Sequence, residues 1–256
     1  MLNTIAFIGV GHLSEYMIQG LRKAAPELQL RLYNPSTTRL AKLTAEDQHS
    51  QAFPTPQLAI EGAQLIIVAT RPGVVERALQ GLVFSEKQVV VCVAAGFSVQ
   101  QLQGLVAPAQ AVRGMPISCV AINLSPTLLY PANAQAEWFF SLLGKVHTLQ
   151  NEQQFNPATA LVGAYYAWLF PMMGELSSWA QGQGLEAGMS RQLLIEINQG
   201  ACAMASDQAA NSFEQIWQSL ATEGGISERG LQKIEQLGGI KAWSSALDDV
   251  TKMMDK

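Results

Sequence analysis

Charge, histidine and cysteine are all scarce in this chain of 256 residues. Charged residues make up 14%, with 16 basic against 20 acidic side chains and a net charge of −4. With no dense Lys/Arg run, a nucleic-acid or anionic-membrane surface is excluded on charge grounds. The three cysteines, Cys92, Cys119 and Cys202, stand far apart and never in a CxxC spacing. They form neither a disulfide framework nor a zinc site, and fit a reducing compartment. Long apolar runs are also missing. The longest, Ala160 to Met173, falls short of the roughly 20 residues that cross a bilayer. Met1-Leu2-Asn3-Thr4 leads straight into a strand-like run, so no signal peptide is expected and a cytoplasmic location follows. No paired carboxylates, Ser-His-Asp order or metal-ligand cluster stands out, so no metal is expected.

What is present is apolar and alternating. Apolar residues reach 48%, which marks a globular chain. Ile5–Ile8, Gln29–Tyr33, Leu65–Ala69 and Val89–Ala94 read as buried strands, each followed by a helical pattern: Leu13–Ala24, Thr38–Thr44, Gly73–Leu82 and Val99–Leu105. Ser98 is placed to cap the last of these. Ala111–Gly114, Thr127–Tyr130 and Gly144–Leu149 supply further strands. Such alternation predicts a doubly wound parallel sheet with helices on both faces. From about Asn151 the strand pattern stops and helical segments run to the end of the chain. Pro171 within the first of them predicts a kink or a break. The expected organisation is an α/β Rossmann-type domain over residues 1–150 and an all-helical domain over 151–256.

Gly9-Val10-Gly11-His12-Leu13-Ser14 follows the first strand and opens the first helix. Gly9 permits the tight turn, Gly11 lets the backbone approach a pyrophosphate, and Ser14 is small enough for close helix–strand packing. The amides after Gly11, including those of His12 and Leu13, then face the phosphates with the helix dipole behind them. NAD-specific proteins place an acid at the end of the second strand to bind the ribose. Here that place is Asn34, followed by Pro35, Ser36, Thr37, Thr38 and Arg39. No carboxylate is there to repel a 2′-phosphate, while hydroxyls and a guanidinium can bind one. NADP(H) is therefore favoured over NAD(H), the alternative being an ordinary polar turn with Arg39 solvated. Thr70-Arg71-Pro72 and Ala95-Gly96 end the third and fourth strands, at the carboxyl edge where ligands of such sheets bind.

These residues resemble the pyrroline-5-carboxylate reductase family along nearly the whole chain. Phe7 to Ser14 is similar to the family's FIGxGNMA. Asn34 matches its strand-end Asn, Val68–Pro72 its VKP, Ala94–Gly96 its AG, and Arg113-Gly114-Met115-Pro116 its RxMP. The resemblance implies a Rossmann domain followed by a helical dimerisation domain, hence a homodimer or higher homo-oligomer. It implies NAD(P)H-dependent reduction of a cyclic imine, pyrroline-5-carboxylate to proline, with Met115 and Pro116 beside the small-molecule substrate. The chain departs from the family after RxMP, at Ile117-Ser118-Cys119, and in the TSPGGTT loop. That loop aligns with Ala221-Thr222-Glu223-Gly224-Gly225-Ile226-Ser227. Gly224 and Gly225 persist as a candidate carboxylate site. Ser227 stands for a threonine whose hydroxyl lies close to substrate in the family; it equally suits an N-cap for a helix over Glu228–Leu237. Glu223 brings a negative charge that either meets an amine-like group or points to solvent.

The scarcity noted first bears on chemistry. A hydroxyacid dehydrogenase needs a His or Lys to carry the alcohol proton. His12, His49 and His147 all precede residue 151, and no lysine lies between Lys145 and Lys233. A protonated C=N needs no such group, because it already carries the charge that attracts hydride. Tyr165, Tyr166 and Trp168 read as core or interface on a helix, with Glu175 farther along about the same face. Two other readings stay open: a non-catalytic nucleotide-binding paralogue, and a related NADP-dependent oxidoreductase with a different substrate.

Overall fold

The computed structural model describes residues 3–255. Met1 and Leu2, the start of the stretch that argued against a signal peptide, lie outside the described residues. The chain divides into two compact units, one comprising residues up to Gly163 together with the segment from Val250 onward, the other Ala164–Asp249.

The first unit is built on one sheet of eight strands in the order β3-β2-β1-β4-β5-β6-β7-β8. These are β1 (Thr4–Ile8), β2 (Gln29–Tyr33), β3 (Ser50–Ala52), β4 (Leu65–Val68), β5 (Val89–Cys92), β6 (Gln110–Met115), β7 (Ser125–Tyr130) and β8 (Gly144–Thr148). Its helices are α1 (His12–Ala24), α2 (Thr37–Glu46), α3 (Pro56–Ile60), α4 (Val75–Leu79), α5 (Val99–Val106), α6 (Ala134–Ser141) and α7 (Phe155–Thr159). The order reverses beside β1, which carries β2 on one side and β4 on the other. That switch point opens a crevice at the carboxyl ends of the strands.

The central strands are buried on both faces, which is why they read as unbroken apolar runs. Ile5, Phe7, Leu65, Ile67 and Val91 share one cluster with Met17, Ile18 and Leu21 of α1 and Phe139 and Phe140 of α6. Ala6, Ile8, Ile66, Val68 and Val90 face the other way, against Val75 and Leu79 of α4 and Leu102 and Val106 of α5. Truncating a fully buried ring such as Phe7 would cost about 3–5 kcal/mol. Helix α1 also packs tightly on the short 3₁₀ helix Ser118–Ile122: a Cβ on Gly20 would lie 2.0 Å from the Val120 carbonyl.

Two features depart from expectation. β7 runs antiparallel to β6, because Pro116–Leu124 is too short for the crossover of about a dozen residues that a parallel neighbour requires. β3 spans three residues, too few to show a periodicity. The compact units part at Gly163/Ala164, inside the helical stretch that begins near residue 150. Phe155, 2% exposed, and Ala160, 1% exposed, still pack in the first unit, and the last residues of the chain return to it.

The second unit holds α8 (Tyr166–Gly182), α9 (Ala187–Asp207), α10 (Phe213–Leu220), α11 (Ile226–Gln236) and most of α12 (Gly239–Met254). Pro171 does not end α8; the irregular turn precedes that helix, as a π-helical segment over Ala160–Tyr165. Trp243 of α12 stacks edge-on against Tyr165 and tilted against Trp168. Trp168, Glu175 and Trp243 line an almost wholly apolar cavity of about 510 Å³. Among the described residues, no helix is long and apolar enough to cross a membrane.

Candidate active site

The glycine turn between β1 and α1 is set by contacts that the motif alone does not show. Gly9 has φ +92, and a Cβ there would lie 2.8 Å from Thr70 Cγ2 and 2.9 Å from the Ala69 carbonyl. Only glycine fits both the backbone and the space. Ser14, fully buried, donates from Oγ to the Gly9 carbonyl at 2.8 Å. It is therefore a tie across the turn as well as a small residue. Asn34 accepts from Val10 N–H at 3.1 Å and donates to the Ser36 carbonyl at 3.0 Å.

Gly11 is the N-cap of α1, and no side chain caps that helix. Nothing lies within 4 Å of where a Gly11 Cβ would stand. The first amides of α1 thus lack intrahelical acceptors and face open space, an arrangement that accepts an anion. Among the sequence-predicted residues here, His12 is exposed, and Leu13 packs its side chain on the core. Ser36 is the N-cap of α2 and its hydroxyl makes no capping bond. Arg39 is not solvated alone: its Nε stands 3.3 Å from Glu15 Oε1. Thr70 Oγ1 is buried with no hydrogen-bond partner, a polar atom beside the glycine turn awaiting one. An open helix start, a glycine at the point of closest approach and an orphaned hydroxyl together fit a dinucleotide.

Arg71 is exposed and precedes the 3₁₀ helix Pro72–Val74. At the end of β5, Ala95 is half-buried and Gly96 has φ +73. The start of α5, by contrast, is already occupied. Ser98 forms a capping box with Gln101, and Val99 N–H donates to Glu152 Oε1 at 2.7 Å. Glu152 also pairs with Arg113 at 2.9 Å, while Arg113 Nη2 donates to Asn156 Oδ1 at 2.9 Å. Arg113 is 4% exposed and stacks on Phe155 at 4.1 Å. An incoming anion therefore meets α1 as the open helix start, not α5. Sequence reasoning quoted Arg113 within a motif but missed its partners, which lie 39 and 43 residues away.

Met115 is half-buried against Gly163, and Pro116 is buried. Burial pushes the Cys92 thiol up to about 11, opposed by a backbone hydrogen bond from Ala94 and by the Arg113 charge. In the helical unit, Gly224 has φ +69 and Gly225 is the N-cap of α11. Ser227 therefore sits inside the first turn of α11 and not at its cap. The helix begins earlier than expected because Glu228 reaches back to accept from Gly224 N–H at 2.6 Å. Ser227 and Glu223 are both exposed.

A mostly parallel sheet with an open glycine turn at its switch point, joined to a helical unit, defines a dinucleotide-dependent oxidoreductase. Comparison with known proteins narrows this. Residues 152–256 match the model for pyrroline-5-carboxylate reductase dimerisation, and residues 4–96 that for NADP oxidoreductase, coenzyme F420-dependent. Pyrroline-5-carboxylate reductase 1 of Bacillus subtilis is 28% identical over 97% of this chain and 87% of its own length. The structure of 1-pyrroline-5-carboxylate reductase from Streptococcus pyogenes superposes with a TM-score of 0.84 at 24% identity, covering 98% of each chain. The Plasmodium falciparum pyrroline carboxylate reductase with NADP bound also gives 0.84, at 16% identity, covering 98% of this chain and 97% of its own. Over nearly its whole length the chain is thus similar to pyrroline-5-carboxylate reductases, and its helical part matches their dimerisation model.

Proposed function

We propose that this chain reduces the C=N bond of pyrroline-5-carboxylate to give proline, using NADPH in preference to NADH. The observation that carries the reading is the uncapped start of α1 beneath Gly9 and Gly11, in a chain similar to pyrroline-5-carboxylate reductases along nearly its whole length. In this reading the α1 amides hold the pyrophosphate, Ser36 and Arg39 take the 2′-phosphate, and Asn34 fixes the turn between them. Thr70, Arg71, Pro72, Ala95 and Gly96 flank the nucleotide at the carboxyl edge of the sheet. When bound, the nicotinamide supplies the hydrogen and electron pair that the imine carbon accepts. The chain's own task is orientation and exclusion of water, since a protonated imine needs no further acid.

Met115 is assigned to the substrate, while buried Pro116 acts by shaping the backbone. Gly225 is followed by the amides of Ile226, Ser227 and Glu228, which make no bonds within α11 and suit a carboxylate. Ser227 Oγ is assigned a hydrogen bond to the substrate. Glu223, exposed, is assigned no contact. A homodimer completes the reading, supported by the dimerisation match and by large exposed apolar residues of the helical unit such as Trp179 (65%) and Phe213 (83%). So does a cytoplasmic location.

The test is a nucleotide titration of the purified protein followed by turnover on imines of different ring size. NADPH oxidation with pyrroline-5-carboxylate, weakened in kcat/KM by Ser227→Ala with NADPH affinity retained, supports the reading. Tight NADPH binding without turnover of that imine overturns the substrate, and turnover of a different imine reassigns it.

A further inference from the structure

The end of β2 carries no acid, and neither does the first turn of α2. Tertiary structure nevertheless brings one there. Glu15, in the first turn of α1, places Oε1 3.3 Å from Arg39 Nε. The two side chains are 31% and 38% exposed. The pair spans the opening turns of the two helices that follow the central strands β1 and β2, so a carboxylate stands beside the very guanidinium assigned to a 2′-phosphate.

We propose that Glu15 determines cofactor specificity: it competes with the 2′-phosphate for Arg39 and so limits the preference for NADPH over NADH. The inference rests on the proposed binding of the 2′-phosphate by Ser36 and Arg39. A 2′-phosphate carries nearly two negative charges at neutral pH. To reach Arg39 it must displace the Glu15 carboxylate or accept it as a close like-charged neighbour. The neutral ribose hydroxyl of NADH meets no such opposition. A part-exposed ion pair of this kind shifts an equilibrium by up to about fivefold, so Glu15 tunes the preference and does not reverse it. The opposition is Coulombic and partly in water, so salt weakens it.

The experiment measures kcat/KM for NADPH and for NADH, on the intact enzyme with saturating imine, at low and high ionic strength. Wild type is compared with Glu15→Gln, Glu15→Asp, Arg39→Ala and the Glu15→Gln/Arg39→Ala double variant. Glu15→Gln is expected to raise the NADPH-to-NADH ratio about three- to fivefold, through the KM for NADPH and not through kcat. The gain shrinks at high salt and vanishes in the double variant. Glu15→Asp, which keeps the charge but withdraws it by a methylene, gives a ratio between the two. A ratio that stays level or falls in Glu15→Gln, while Arg39→Ala lowers it, overturns the role of Glu15 alone. A ratio untouched by Arg39→Ala overturns the 2′-phosphate reading and the role of Glu15 together.

Discussion

Asn34 Oδ1 accepts the Val10 backbone N–H at 3.1 Å across a sequence gap of 24 residues, while its amide nitrogen holds the Ser36 carbonyl. One side chain thereby locks the glycine turn to the turn after β2. Val10 is 2% exposed, so its N–H has little access to bulk water. Asn34→Ala should cost about 1–3 kcal/mol of stability, the penalty for an unsatisfied buried N–H. Asn34→Asp keeps the acceptor, loses the donor and adds a negative charge; it should weaken NADPH more than NADH. Thermal denaturation checks the first, and paired nucleotide titrations the second.

The two glycines of the turn should separate under substitution. Gly9→Ala meets both positive φ and contacts under 3.0 Å, so it should lower the melting temperature by several degrees. Gly11→Ala meets open space at ordinary φ and should leave melting nearly unchanged. It should instead weaken NADPH binding at least tenfold, because in the proposed reading its methyl stands where the pyrophosphate approaches. A Gly11→Ala variant that binds NADPH normally would place the phosphates elsewhere.

Arg113 tests whether the ion pair with Glu152 supports the fold. Arg113 is buried but Glu152 is 30% exposed, so the carboxylate left behind by Arg113→Met can find water. The variant should lose about 1–3 kcal/mol in urea denaturation, less than a fully buried pair would cost. Arg113→Lys should recover little. A lysine cannot reach Glu152 and Asn156 together as the guanidinium fork does, nor stack flat on Phe155.

Asp47 predicts an acid-sensitive contribution. Burial pushes its carboxyl up, but hydrogen bonds from Ser50, Arg22 and the His49 backbone outweigh it and leave it below the ordinary carboxylate value. The folded state thus binds fewer protons than the unfolded state as the pH falls. Its stabilisation is complete above the unfolded value of about 3.9 and is lost as pH falls through the lower folded value. Asp47→Asn should therefore melt below wild type at pH 7, with the gap closing as the pH drops below about 4. A gap that is constant with pH would assign the loss to packing.

Much of the fold was legible because burial writes itself into sequence. The runs Leu65–Val68 and Val89–Val91 are apolar on both sides because both sheet faces are covered, and that pattern survives without knowledge of the neighbours. The same holds for Gly9, whose backbone conformation demands glycine. β3 and the antiparallel β7 were not legible: three residues carry no period, and direction depends on the length of a connection. Nor was the true start of α11. Ser227 looked like a cap, but the Glu228 carboxylate folding back on Gly224 moved the helix start upstream.

The sequence by itself determined the α/β-then-helical order, the glycine turn after the first strand and the absence of histidine beyond residue 150. Each is a property of local pattern or composition, which the chain carries wherever it folds. Tertiary structure alone decided which groups stand beside the nucleotide turn. Ser14 is tied to Gly9, Asn34 to Val10, Glu152 fills the start of α5, and Glu15 stands against Arg39. Most of these pairings join separate elements, and a hydrogen bond or ion pair is set by distance in space, which spacing along the chain does not record.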